Sequence, residues 1–196
     1  MSGCLIAFEG LDQSGKQTQA ELLRDRLKQE GQKARLVSFP DYGTSIGEEI
    51  ARALQGEREY GPDVMQLLYI ANRYERKPDL QRWLDGGLTL VCDRYTASSV
   101  AYGEAHGLDP AWLTELQKFL PPASLTIVLD IAPETAVHRK AVERDRYERD
   151  LALQARVRES YRWQAAAGGW IVVDGERSKE AIAEDVFSAA AARLNW

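Results

Sequence analysis

The stretch FEGLDQSGKQTQAELL, residues 8–23, decides how the rest of the chain is read. Gly10, Gly15 and Lys16 follow the G-x-x-x-x-G-K pattern of a loop that grips phosphate. The apolar run CLIAF (4–8) before it reads as a buried strand. KQTQAELLRDRLKQEG after it reads as a helix, with Ala20, Leu23 and Leu27 on one face and Gly31 as its stop. Strand, glycine turn and helix start make an anion site, because several backbone N–H groups and the positive end of the helix converge there. Lys16 is expected to reach the terminal phosphates as a point charge. A plain structural turn is the alternative, and the strand–loop–helix setting speaks against it. The next position normally carries Ser or Thr, whose hydroxyl binds Mg²⁺. Here it is Gln17, whose side-chain oxygen is expected to hold Mg²⁺ directly or through water. Thr18 is one residue late, turned about 100° away around the helix.

Four further apolar runs read as strands: ARLVSFP (34–40), LTLVCD (88–93), SLTIVLDI (124–131) and WIVVD (170–174). Helical patterns fill the intervals at 46–55, 63–85, 96–103, 110–119, 133–143 and 150–166, with a last one at 178–194. Near-continuous Val/Ile/Leu strands alternating with helices predict an α/β fold, a five-stranded parallel sheet covered on both faces. No repeat or linker divides the chain, so residues 1–196 are read as one domain. Ligands of such sheets sit at the carboxyl ends of the strands. The phosphate loop, Phe39-Pro40-Asp41 and Asp93-Arg94 thereby become neighbours. Asp93 is expected to complete the Mg²⁺ shell.

In the 63–85 helix, Val64, Leu67, Leu68 and Ala71 are expected to form the core stripe. Tyr69 and Arg73, four apart, meet on an adjacent face. A ring that stacks on a base beside a guanidinium that reads its edge suits a pyrimidine. A packed tyrosine and a surface arginine is the other reading of that pair.

The formal net charge is −5, which offers no basic field for a nucleic-acid backbone. Hydrophobic residues make up 44% and no apolar run approaches the length of a membrane span, so no membrane partner is expected. Two cysteines in apolar runs, Cys4 and Cys92, and no signal-peptide pattern point to a cytoplasmic protein with reduced thiols. Residues 138–162 hold seven arginines, the main concentration of positive charge. A solvated helix of alternating charge explains such a segment as well as a site does.

FEGLDQSGK, FPDYGTSIGEEI, LLYIANRYE, DRYTASSVAYG and DRYE stand in the order and at the spacings of thymidylate kinases, and the chain resembles that family from residue 5 to about 175. The resemblance implies a P-loop nucleoside-monophosphate kinase fold, ATP and dTMP as substrates, Mg²⁺ as cofactor and a homodimer. It implies that Gly10, Asp12, Gln13, Ser14, Gly15, Lys16, Gln17 and Thr18 bind ATP. It further implies that Asp12, Phe39, Tyr69, Arg73, Arg94, Ser98, Tyr102 and Tyr147 bind dTMP, with Asp12 near the sugar 3′-hydroxyl and Tyr102 against C2′. Tyr69 stands where the family usually has Phe. Arg94 would bridge donor and acceptor phosphates. The family keeps a mobile lid at about 142–152. Because Asp12-Gln13-Ser14 carries no arginine, the transition-state cation is expected there: Arg146 first, then Arg144 and Arg149.

One departure concerns the acceptor phosphate. Where the family often has an arginine after Phe-Pro, this chain has Asp41-Tyr42. Asp41 cannot grip an anion and is expected either to stand aside or to help place Mg²⁺. Rival readings are a deoxynucleoside kinase, a kinase for another pyrimidine monophosphate, and a nucleotide-binding module without turnover.

Overall fold

The computed structural model describes residues 3–139 and 150–194. The strands are β1 (Leu5–Gly10), β2 (Ala34–Ser38), β3 (Thr89–Asp93), β4 (Leu125–Asp130) and β5 (Ile171–Asp174). They form one parallel sheet in the order β2-β3-β1-β4-β5. β1 is central, paired with β3 (Ala7 opposite Cys92) and with β4 (Phe8 opposite Ile127). All six of its residues, the apolar run 5–8 together with Glu9 and Gly10, are buried.

The alternation of β1 divides the core into two layers. Ile6 and Phe8 face α1 (Lys16–Gln29) and α8 (Lys179–Leu194), meeting Leu23, Leu27, Ile182 and Val186. Leu5 and Ala7 face the other way, with Cys92 and Leu80 of α3 (Pro62–Asp85). Next to them, Val128 packs with α4 (Thr96–Ala105) and α7 (Leu151–Gly168) through Ala101, Val157 and Tyr161. The remaining helices are α2 (Ser45–Leu54), α5 (Pro110–Glu115) and α6 (Pro133–Arg139). Cys4 and Cys92 are free thiols.

Three expectations need correction. β2 stops at Ser38 rather than continuing to Pro40: Phe39 turns to donate its N–H to the Asp93 carbonyl at 3.0 Å, before a cis Phe39–Pro40 bond. α5 ends at Glu115 rather than 119, because the chain tightens into i→i+3 turns, such as Leu120 N–H to Gln117 O at 3.0 Å, ahead of Pro121-Pro122. The stripe of α3 is also different. Val64 and Leu67 are 37% and 41% exposed, while Met65, Gln66, Ile70, Asn72, Arg73 and Leu80 are buried. The helix turns three polar side chains inward, and apolar periodicity cannot register that.

Asn72 illustrates the point. Its amide donates to the Thr44 hydroxyl at 2.8 Å and the Asp41 carbonyl at 3.2 Å, and accepts from the Asp41 N–H at 2.8 Å. It clamps the loop between β2 and α2. Asn72→Leu leaves these groups without their partner, and a loss of about 3 kcal/mol is expected in urea unfolding. A loss below about 1 kcal/mol would show that the loop is held otherwise.

Candidate active site

The phosphate loop leaves β1 at Gly10, where φ is +136° and a Cβ would lie 2.5 Å from the Leu129 carbonyl oxygen, so only glycine fits. Gln13 and Gly15 also adopt positive φ, and Gly15 then caps α1. Lys16 is buried and folds back over the loop, its Nζ donating to the Leu11 carbonyl at 2.6 Å and lying 3.5 Å from the Ser14 hydroxyl. Gln17 and Thr18 are exposed on the first turn of α1, and the Gln17 amide donates to Glu21 at 3.0 Å. Asp93 ends β3 with one buried carboxylate oxygen, Oδ1, that has no partner. That orphaned oxygen near the loop lysine is a fit for a hard cation completed by phosphate and water. Among the described residues, no cluster of three acidic, histidine or cysteine side chains forms a metal cage by itself.

Beside the loop lies a cavity of about 110 Å³. Asp12, Phe39, Tyr69, Arg73, Arg94, Ser98 and Tyr102, drawn from four separate stretches of the chain, all line it. Pro40, Tyr42, Leu54, Gln66 and Ser99 complete the lining. Arg94, held at φ +62°, sits at the seam between loop and cavity. Its guanidinium pairs with Asp12 and donates to Gly10 O at 3.3 Å, Ser98 Oγ at 3.1 Å and Tyr161 OH at 3.3 Å. Tyr102 donates to the other Asp12 oxygen at 2.8 Å. Burial opposes ionisation of Asp12, but Arg94 and Lys16 outweigh it and hold its pKa down at about 2. Arg73 is buried, donates to Ser99 Oγ at 2.8 Å and to the carbonyl of Tyr69 at 3.2 Å, and lies 5.9 Å from the Phe39 ring centre.

Behind the cavity is a carboxylate that sequence reasoning missed. Glu9, on β1 and fully buried, accepts from the N–H of Tyr95 (2.8 Å), the N–H and hydroxyl of Ser98 (3.3 and 2.6 Å) and the Tyr161 hydroxyl (3.2 Å). A charged residue inside an otherwise apolar strand was the available signal. Gln66 and Tyr161 had none, since a glutamine in a helix or a tyrosine in a charged stretch is ordinary surface material.

Asp41 stands away from the cavity lining. Its carboxylate meets Arg76 at 3.1 Å and accepts from the Gly43 N–H at 3.0 Å. Of the seven arginines in 138–162, four lie in the described chain and all four are engaged. Arg158 and Arg162 both bind Asp130, at 2.6 and 2.7 Å, and Arg156 donates to Ala105 O at 3.0 Å. Arg139 ties the phosphate loop to the turn after β5 through Gln13 O (3.3 Å) and Gly175 O (2.8 Å). The lid calls, Arg144, Arg146, Tyr147 and Arg149, lie outside the described residues.

Residues 8–186 match the sequence pattern of the family described as thymidylate kinase. The chain belongs to the thymidylate kinase family. It is 37% identical over 159 residues to thymidylate kinase of Schizosaccharomyces pombe, covering 81% of this chain and 75% of that one. It is 34% identical over 187 residues to the human thymidylate kinase, covering 94% and 88%. The solved thymidylate kinase of Candida albicans superposes with a TM-score of 0.83 at 27% identity, covering 99% of this chain and 93% of the other. Fold and family therefore agree: this is the P-loop α/β architecture of a nucleoside-monophosphate kinase.

Burial and the neighbouring Arg94 push Lys16 down to about 8, against the pull of Asp12, Asp93 and Glu9. A bound triphosphate favours the charged lysine and raises its pKa again. ATP binding is therefore expected to take up a proton when the pH exceeds about 8, with affinity falling up to tenfold per pH unit there. Calorimetry in two buffers of different ionisation enthalpy measures that uptake, which should vanish at pH of about 6.5. Equal uptake at both pH values would assign the proton to another group.

Proposed function

We propose that this chain is a thymidylate kinase that moves the γ-phosphoryl group of ATP to dTMP, giving ADP and dTDP. The observation that carries the reading is the shared seam: Arg94 touches both the phosphate loop, through Gly10 and Asp12, and the cavity, through Ser98. A cation placed there offsets the repulsion between two polyanions and can follow charge to the transferring group. Lys16 leaves its resting contact on Leu11 to meet the terminal phosphates. Asp12 and Tyr102 face the acceptor sugar, while Tyr69 stacks on the base and Arg73 hydrogen-bonds it. With Asp41 given over to Arg76, Arg94 carries the acceptor phosphate together with a lid arginine, of which Arg146 is the first choice ahead of Arg144 and Arg149. The lid is read at about 142–152 within one domain. Engagement of Arg139, Arg156, Arg158 and Arg162 elsewhere supports leaving the transition-state role to these three.

Mg²⁺ is read as held by Asp93, with Gln17 joining directly or through water. When bound it neutralises phosphate charge and orients the β- and γ-phosphates. The protein contributes positioning and exclusion of water, since phosphoryl transfer needs little covalent help. A homodimer is the expected assembly, and the exposed Val64 and Leu67 on α3 support a face that needs covering. The free thiols support a cytoplasmic setting.

A coupled assay with ATP and Mg²⁺ against dTMP, dUMP, thymidine, dCMP and dGMP tests the reading, and turnover of dTMP is expected to lead. Activity confined to an unphosphorylated nucleoside, or none at all, would overturn it. In the same assay Lys16→Met should lower kcat by on the order of 10²–10³. Asp93→Asn should raise the Mg²⁺ concentration for half-maximal rate about tenfold, and an unchanged Mg²⁺ titration would remove Asp93 from the metal site.

A further inference from the structure

Glutamine 66 is inside the acceptor cavity with no protein reason to be there. It is 4% exposed, lines the cavity, and its Oε1 is buried without a partner. Buried amides are ordinarily satisfied, so such an oxygen calls for an explanation. Of the three other buried glutamines with an unpaired oxygen, Gln154 lies outside the cavity lining and the remaining two explain themselves: Gln19 is anchored through its amide nitrogen on Lys179 O at 3.0 Å, and Gln117 on Thr96 O and Leu113 O at 3.1 Å. Neither lines the cavity. Among the described residues, Gln66 Oε1 has just one unpaired buried companion in the cavity wall, the Nε–H of Arg73. The two are seven apart on α3, with Tyr69 between them at i+3, so all three project from one helix face.

One unmet acceptor and one unmet donor on the same wall define the ligand edge that completes them: a donor beside an acceptor. A pyrimidine with N3–H next to a C4 carbonyl has that edge. We propose that Gln66 is a specificity-determining residue that accepts the N3–H of the acceptor base, while Arg73 donates to the adjacent C4 oxygen. The inference rests on the dTMP reading above and adds a second polar reader to the base site. Arg73 is tied by Ser99 and Tyr69, and guanidinium has no acceptor atom, so the pair is directional. A cytosine edge presents an amine where Arg73 needs an oxygen.

Two variants test it with dTMP and its N3-methyl derivative, which lacks the N3–H and carries extra bulk at that atom. Gln66→Met, similar in volume, should raise KM for dTMP about tenfold with kcat held within about threefold. The N3-methyl nucleotide should be a poor substrate of the unmodified chain and lose little further on Gln66→Met. Gln66→Ala, which opens space at the same spot, should use the N3-methyl nucleotide better than the unmodified chain does. Melting temperatures taken alongside separate loss of fold from loss of recognition. If Gln66→Met lowers kcat/KM for both nucleotides by the same factor, or leaves KM for dTMP unchanged, the assignment is wrong. An unmodified chain inactive on dTMP overturns the functional reading and this inference with it. An active one whose Gln66 variants behave in either of those two ways overturns this inference alone.

Discussion

The Glu9 carboxylate is the tie on which the geometry of the site depends. It lies at 0% exposure one residue before the phosphate loop and gathers donors from the loop after β3, from α4 and from α7. A buried carboxylate is tolerable only when its oxygens are satisfied, so strand and helices must meet at one spacing and one angle. Ser98 is shared: its hydroxyl binds Glu9 at 2.6 Å, contacts Tyr161 at 2.9 Å and receives Arg94 at 3.1 Å. The arginine between loop and cavity is thus placed by a carboxylate it does not touch. β1 makes this possible, because a central strand paired on both edges cannot shift without moving the whole sheet.

Around this tie the cations are divided by role. Four arginines near the C-terminal half brace Asp130, Ala105 and the phosphate-loop backbone, and Arg76 is held by Asp41 and Asp79. Among the described residues, that leaves Lys16 over the phosphate loop and Arg73 and Arg94 beside it. The two arginines line the cavity while contacting different parts of it. Burial strengthens each of the three, since each acts in a medium that screens it less than water would.

Much of this was legible in residues 8–23 and the strands that follow. Near-continuous apolar runs alternating with helices read as parallel strands, and a glycine turn leading into a helix presents N–H groups. Both are local consequences of backbone geometry. The α3 stripe was misread for the complementary reason. Val64, Leu67 and Leu68 look like a core face to any periodicity count, yet the helix buries Gln66, Asn72 and Arg73. Their partners lie on other elements, and sequence spacing carries no record of them. Asp41 is similar: its charge announced that it could not hold phosphate, but only the fold supplied Arg76 as its counter-ion.

By itself the sequence determined the sheet, the phosphate loop and the identity of the cations and rings available to a nucleotide, because strand burial, glycine torsions and side-chain chemistry are local properties. Tertiary structure alone decided which of those groups meet. Glu9 and Tyr161 are 152 residues apart, and Arg94 and Asp12 are 82 apart. Contacts of that span follow from how helices seat on the two faces of the sheet. That seating also left Gln66 Oε1 and Arg73 Nε buried in residues that line one cavity, with nothing of the protein's own to bind.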